Sequence, residues 1–168
     1  MDIRIRDAGE SDRDVIVRFN VDLARETEGK TLDAGRLQTG VERLLADPAR
    51  GRYFLAEVEG RVIGSTMITH EWTDWRDGWF WWIQSVWVEP THRRRGVFAA
   101  LYGHVERLAL DDPDVRGLRL YVEGDNQRAQ DTYGALGMRM TGYRVMESEF
   151  AHQGGPADPT IEASATGG

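Results

Sequence analysis

Three consecutive arginines, Arg93, Arg94 and Arg95, stand directly before Gly96, between the β-prone run "WFWWIQSVWV" and the apolar run "VFAALYGHVERLAL". This order puts positive charge and a glycine at a strand-to-helix junction. The first amides of a helix lack intrahelical partners, and with the positive end of the helix dipole they form a site for an anion, usually phosphate. Gly96 would let a ligand approach the backbone or permit an unusual φ, and the arginines add charge around it. The other reading is a solvated turn whose arginines pair with Glu89 or Glu106. Residues able to move a proton are fewer: His70 and Glu71 in "THEWTDWRDG", and Tyr133 in a later helical run. His70 has a side chain suited to proton transfer, yet neither it nor His92 has the partners of a metal site, so no metal is expected.

These residues must be positioned by a series of strands and helices. "IRI" alternates as a short first strand, and Val15, Ile16, Phe19 and Leu23 recur at helical spacing behind a capping box of Ser11 with Asp14. A second helix is expected over residues 33–46, with Leu37, Val41, Leu44 and Leu45 on one face. "RYFLAEVEGRVIGSTMITH" reads as a hairpin turning at "EGR". The tryptophan-rich strand, a helix, the strand "GLRLYV", the helix "NQRAQDTYGALG" and a last strand "RMTGYRVMESEF" follow. A meander that gives way to alternating strands and helices is an α/β domain with a mixed sheet. Residues 1–150 form one expected domain, and residues 151–168, rich in Gly, Pro, Ala and Thr, a tail.

The composition narrows the function classes. The chain has 168 residues, 40% of them apolar, and a formal net charge of -7. General binding to nucleic acid or an anionic membrane would work against that field, so neither is expected as a partner. Cysteine is absent, which excludes disulfides and cysteine nucleophiles. "MDIRIRDAGE" lacks the apolar segment of a secretion signal, and no apolar stretch is long enough to span a bilayer, so a soluble cytoplasmic protein is expected. Neither a Walker A pattern nor G-x-G-x-x-G occurs.

"VWVEPTHRRRGVFAALYGHVERLA" resembles the coenzyme A pyrophosphate motif of the GCN5-related N-acetyltransferases, [Gln/Arg]-x-x-Gly-x-[Gly/Ala] between a strand and a helix. Arg93 and Gly96 match the first and fourth positions, while Phe98 takes the sixth, with Ala99 next. "LRLYVEGDNQRAQDTYGALGM" is similar to the family's second motif, with Asn126, Ala129, Tyr133 and Leu136-Gly137-Met138 at matching positions. The resemblance spans residues 3–147. It implies a mixed, mostly antiparallel central sheet, helices on both faces and splayed fourth and fifth strands.

It also implies roles. The backbone of Val86, Trp87 and Val88 would bond the pantetheine arm of acetyl-CoA and donate to the developing oxyanion. The amides of Arg94, Arg95, Gly96, Val97, Phe98 and Ala99, with Arg93, would hold the pyrophosphate. Asn126 would contact pantetheine or order the splayed loop, and Tyr133 would protonate the leaving thiolate. The implied reaction is acetyl transfer to a primary amine of a small molecule or peptide. The alternative is a non-catalytic acyl-CoA-binding sensor with the same fold. The family's fourth-strand carboxylate is missing, Gln84 and Ser85 being the polar side chains there apart from the indoles, so Glu71 is the candidate base, directly or through water. All six tryptophans fall between Trp72 and Trp87. Trp79, Trp81 and Trp87 share one strand parity, Phe80 and Trp82 the other. Trp72 and Trp75, with Gln84, are candidate acceptor contacts. An aromatic wall flanked by Glu71, Asp74 and Asp77 would suit a cationic amine, and exposed aromatics would favour a homodimer.

Overall fold

Two residues at positive φ, Glu59 at 51° and Gly60 at 76°, turn the chain between β2 (Arg52–Val58) and β3 (Arg61–Thr73). A turn with both central residues in the left-handed region matches the twist of the strands it joins. The structure, a computed structural model, describes residues 1–148 and 150. β1 (Arg4–Asp7) pairs antiparallel with β2, β3 pairs antiparallel with β4 (Gly78–Val88), and β5 (Val115–Leu120) runs parallel to β4. The sheet order is therefore β1-β2-β3-β4-β5. Helices α1 (Arg13–Glu28) and α2 (Ala34–Ala46) separate β1 from β2, α3 (Val97–Asp111) separates β4 from β5, and α4 (Gln127–Ala135) follows β5.

Both faces of the sheet are covered. Ile16 of α1 and Val41 of α2 are buried with Tyr53 and Leu55 on one face. On the other, Phe54 meets the edge of His104 at 5.2 Å, and Val97, Leu101 and Val105 of α3 are buried. This is the mixed, mostly antiparallel sheet between helices that the resemblance implied. The chain divides into two compact units, Met1–Asp131 and a second from Thr132 onward. The sheet and α1, α2 and α3 belong to the first. Among the described residues no helix is long and apolar enough to cross a membrane.

Three expectations change. The start of α1 is organised by Asp12, not by a box of Ser11 and Asp14: its carboxylate accepts from Gly9 N–H at 2.8 Å and takes both Nη atoms of Arg6 at 2.7 and 2.8 Å. Residues 139–148 form no strand. That run has strand-like residues, but a strand needs a ladder partner, and Met140, Tyr143, Val145 and Met146 are exposed. Trp87 leaves the face of Trp79 and Trp81. β3 pairs Met67 with Gln84 and then Ser65 with Trp87, so β4 carries one extra residue, with Ser85 at φ 48°. A bulge of this kind reverses the alternation beyond it. Trp87 thus turns toward α1, its ring 6.4 Å from Phe19. The expected tail, residues 151–168, lies outside the described residues.

Candidate active site

β4 outruns its parallel partner. Their pairing runs from Trp79 opposite Val115 to Ile83 opposite Leu120, leaving residues 84–88 with no strand on that side among the described residues. The expected splay of the fourth and fifth strands begins at that point. Glu89 N–H donates to the Ile63 carbonyl at 2.8 Å, so positions 63 and 89 form a hydrogen-bonded pair. Val88, one residue in, then turns its own N–H and C=O away from β3, whereas Trp87, opposite Ser65, gives its backbone to β3. The bulge residue is held from the α1 side. Ser85 and Asn20 both hydrogen-bond the buried Tyr53 phenol, Asn20 Nδ2 at 3.1 Å, and burial raises the pKa of that phenol.

The arginine turn lies just beyond this edge. After a single 3₁₀ turn, Pro90–His92, Arg94 takes φ 61° and Gly96, the N-cap of α3, takes φ 80°. A Cβ at Gly96 would meet nothing within 4 Å, so glycine serves the backbone conformation and leaves the approach open. The first closing bond of the helix runs from Ala100 N–H to the Gly96 carbonyl at 2.9 Å. The amides of Val97, Phe98 and Ala99 precede it and face the N-terminal end, where an anion is favoured.

Arg93 does something else. Its Nη atoms form a two-pronged pair with Glu26 of α1 at 2.7 and 2.9 Å, its Nε donates to the Val88 carbonyl at 2.9 Å, and its guanidinium lies 4.9 Å from the Trp87 ring centroid. Neither Glu89 nor Glu106 is its partner; Glu89 pairs with Arg18 at 2.8 Å. Arg93 therefore fastens the end of β4 to α1, and the exposed Arg94 and Arg95 supply the charge around the turn.

Glu71 lies on the α1 face. Its Oε1 accepts from Arg119 Nη1 of β5 at 2.8 Å, and its Oε2 accepts from the Trp82 indole N–H. The Arg119 guanidinium stacks over Phe80, 3.8 Å from the ring centroid, and Tyr121 stacks on Trp82 at 4.4 Å. Gln84 follows on the same face and donates to Thr69 Oγ1 at 2.6 Å. Trp72 is on the opposite face, edge-on to Trp79 at 4.9 Å and beside the His70–Trp81 pair. Burial lowers the pKa of His70. Trp75, 86% exposed, sits in a 3₁₀ turn between β3 and β4. The structure therefore brings Glu71, Trp82 and Gln84 together and separates Trp72 from Glu71, so the single aromatic wall expected around that carboxylate does not assemble.

Asn126 caps α4, its Oδ1 accepting from Ala129 N–H at 3.0 Å. Tyr133 lies on the same helix, and burial raises the pKa of its phenol. Sequence reasoning missed Glu26, Arg119, Tyr121, Tyr53 and Asn20. Each acts through a partner distant in the chain, and only the β-prone alternation around Arg119 and Tyr121 hinted at a shared face. Among the described residues, no group of three or more His, Cys, Asp or Glu is placed to hold a metal ion.

A family model described as Acetyltransferase (GNAT) family matches residues 20–138. The crystal structure of a possible acetyltransferase from Clostridium difficile 630 is 43% identical, with a TM-score of 0.84 over 89% of this chain and 99% of that one. A predicted acetyltransferase with acetyl-CoA from Clostridium acetobutylicum is 17% identical, with a TM-score of 0.72 over 88% and 96% of the two chains. Ribosomal-protein-alanine N-acetyltransferase from Brucella melitensis biovar Abortus 2308 is 15% identical, with a TM-score of 0.71 over 89% and 100%. At that identity the last two share the fold alone. No curated protein matches the chain. With a family model over most of its length and an open β4 edge leading to an anion-ready helix start, the chain belongs to the acetyltransferase (GNAT) family, whose general reaction is acyl transfer.

Proposed function

We propose that the protein is an acetyl-CoA-dependent N-acetyltransferase that transfers an acetyl group to a primary amine of a small molecule or peptide by direct attack. The observation that carries this reading is the unpaired β4 edge at residues 84–88, running into the N-terminal amides of α3. An extended amide chain can add to such an edge as a strand would, and its diphosphate end would then meet the turn. The donor group fits these residues because the edge offers backbone bonds and the turn offers amides with positive charge. When bound, acetyl-CoA supplies an activated thioester. In this reading Val86 and Val88 bond the pantetheine arm, and a backbone N–H of that stretch meets the charge that develops on the acyl oxygen. The amides of Arg94, Arg95, Gly96, Val97, Phe98 and Ala99 hold the pyrophosphate. Asn126 orders the loop ahead of α4. Tyr133 protonates the departing thiolate. Glu71, oriented by Arg119 and Trp82, takes the amine's proton through water, each oxygen keeping a lone pair beyond the bond it accepts.

The commitment of Glu71 to Arg119 and Trp82 favours a second reading, an acyl-CoA-binding sensor without turnover. Thermal unfolding with acetyl-CoA, inorganic phosphate and desulfo-CoA tests the binding both readings share. Acetyl-CoA at about a hundredfold its Kd stabilises by about 2.7 kcal/mol, and phosphate should not reproduce the shift. No rise in Tm sinks both readings. Amine-dependent thiol release, measured next, eliminates the sensor.

A further inference from the structure

We infer that the acceptor carries a carboxylate beside its amine, and that Arg119 is the residue that binds it. The inference rests on the acetyltransferase reading above and names the acceptor class for the same site. It follows from hydrogen-bond accounting on the α1 face of β3, β4 and β5. There Glu71 and Arg119 form a one-to-one ion pair: Oε1 takes Arg119 Nη1 at 2.8 Å, and Oε2 takes the Trp82 indole, so each oxygen already accepts one bond and keeps one lone pair. A cationic acceptor would have to compete with a guanidinium for that charge. Arg119 keeps the larger unused hydrogen-bonding capacity of the two. An arginine has five N–H donors in a rigid fork, and among the described residues the hydrogen bonds of Arg119 commit only Nη1. Its side chain is 29% exposed, so it is open to solvent in part. Phe80, 3.8 Å below, and the Glu71 bond hold the fork in one orientation. A fixed planar fork is matched by a carboxylate, which it can bind with two parallel bonds.

Position supports the same assignment. Arg119 lies opposite Trp82, one residue before the last parallel pair, Ile83 with Leu120. The open stretch of β4 starts directly beyond that pair, at Gln84, two residues along the strand from Trp82. Tyr121, 60% exposed and stacked on Trp82, floors the space between.

Initial rates of thiol release from acetyl-CoA are measured with the twenty common L-amino acids, their carboxamides and the amines left by decarboxylation. At least one amino acid should react with kcat/KM tenfold or more above its carboxamide. Arg119→Gln should erase that preference by raising KM, and Arg119→Lys should keep part of it. Equal use of the carboxamides or decarboxylated amines overturns the inference, as does turnover of no member of the panel or a preference that survives Arg119→Gln. The Tm of wild type and both variants with acetyl-CoA reports the underlying reading separately. A shift without carboxylate preference sinks this inference alone, and no shift sinks the acetyltransferase reading.

Discussion

A phenol can deliver a proton only while it still holds one. Burial raises the pKa of Tyr133, so its hydroxyl stays protonated through the neutral range, as the proposed acid must. Tyr133→Phe keeps the ring and removes the proton. It should lower kcat by about a hundredfold and leave the Kd for acetyl-CoA within about twofold. Turnover equal to wild type would remove Tyr133 from the chemistry. Arg93 poses the opposite case, a motif residue whose side chain faces away from the expected ligand. The sequence motif located Arg93, but Glu26 is 67 residues away and nothing local marks it. The bidentate pair holds the Glu26 carboxyl below its usual range and ties α1 to the strand end. Glu26→Gln, which alters no proposed ligand contact, should weaken acetyl-CoA binding by about fivefold, the effect of a partly exposed pair worth about 1 kcal/mol. Titration calorimetry reads it, and an unchanged Kd would reduce the clamp to a surface pair.

Elements were legible where a pattern is local. The turn at Glu59 and Gly60, the helix from Asp33 and the strand-to-helix step at Gly96 all carry their own signals. Asp33, for example, caps α2 by accepting from Arg36 N–H at 2.7 Å. The alternation of Trp79 and Trp81 against Phe80 and Trp82 was legible, but the face of Trp87 was not, because one extra residue at Ser85 reverses it and no composition rule marks a bulge. The missing final strand has the same origin, since pairing is a property of two segments. Gly64 shows how tightly β3, β4 and α3 are set around the bulge. A Cβ there would stand 2.9 Å from the Trp87 carbonyl and 3.2 Å from Val97 Cγ1. Because a backbone oxygen is the nearer obstacle, Gly64→Ala should cost about 1–3 kcal/mol and loosen the start of α3. A urea midpoint equal to wild type would show that the three elements yield at little cost.

At the scale of the molecule, half-buried titrating groups couple folding to pH. His104 is packed against Phe54, its Nε2 is buried without a hydrogen-bond partner among the described residues, and burial lowers its pKa. Arg107 and Arg52 push it the same way, and Asp7 opposes them. Burial lowers the pKa of His70 as well. An unfolded histidine titrates near about 6.5, so below that pH the unfolded chain binds protons that the native chain refuses. The histidine contribution is therefore intact above about pH 6.5 and is lost as pH falls toward the depressed native values. Asp12 adds a second, more acidic loss. The Arg6 bond lowers its native pKa, so its contribution is present above the unfolded value of about 3.9 and disappears below it. Urea midpoints should be flat from pH 8 to 7, decline as pH falls below about 6.5, and fall again below about 4. His104→Gln should flatten the first decline, and the double variant with His70→Gln should nearly remove it while the acid limb set by Asp12 remains. If the double variant keeps the wild-type slope between pH 7 and 5, these two histidines do not set the stability of the fold in that range.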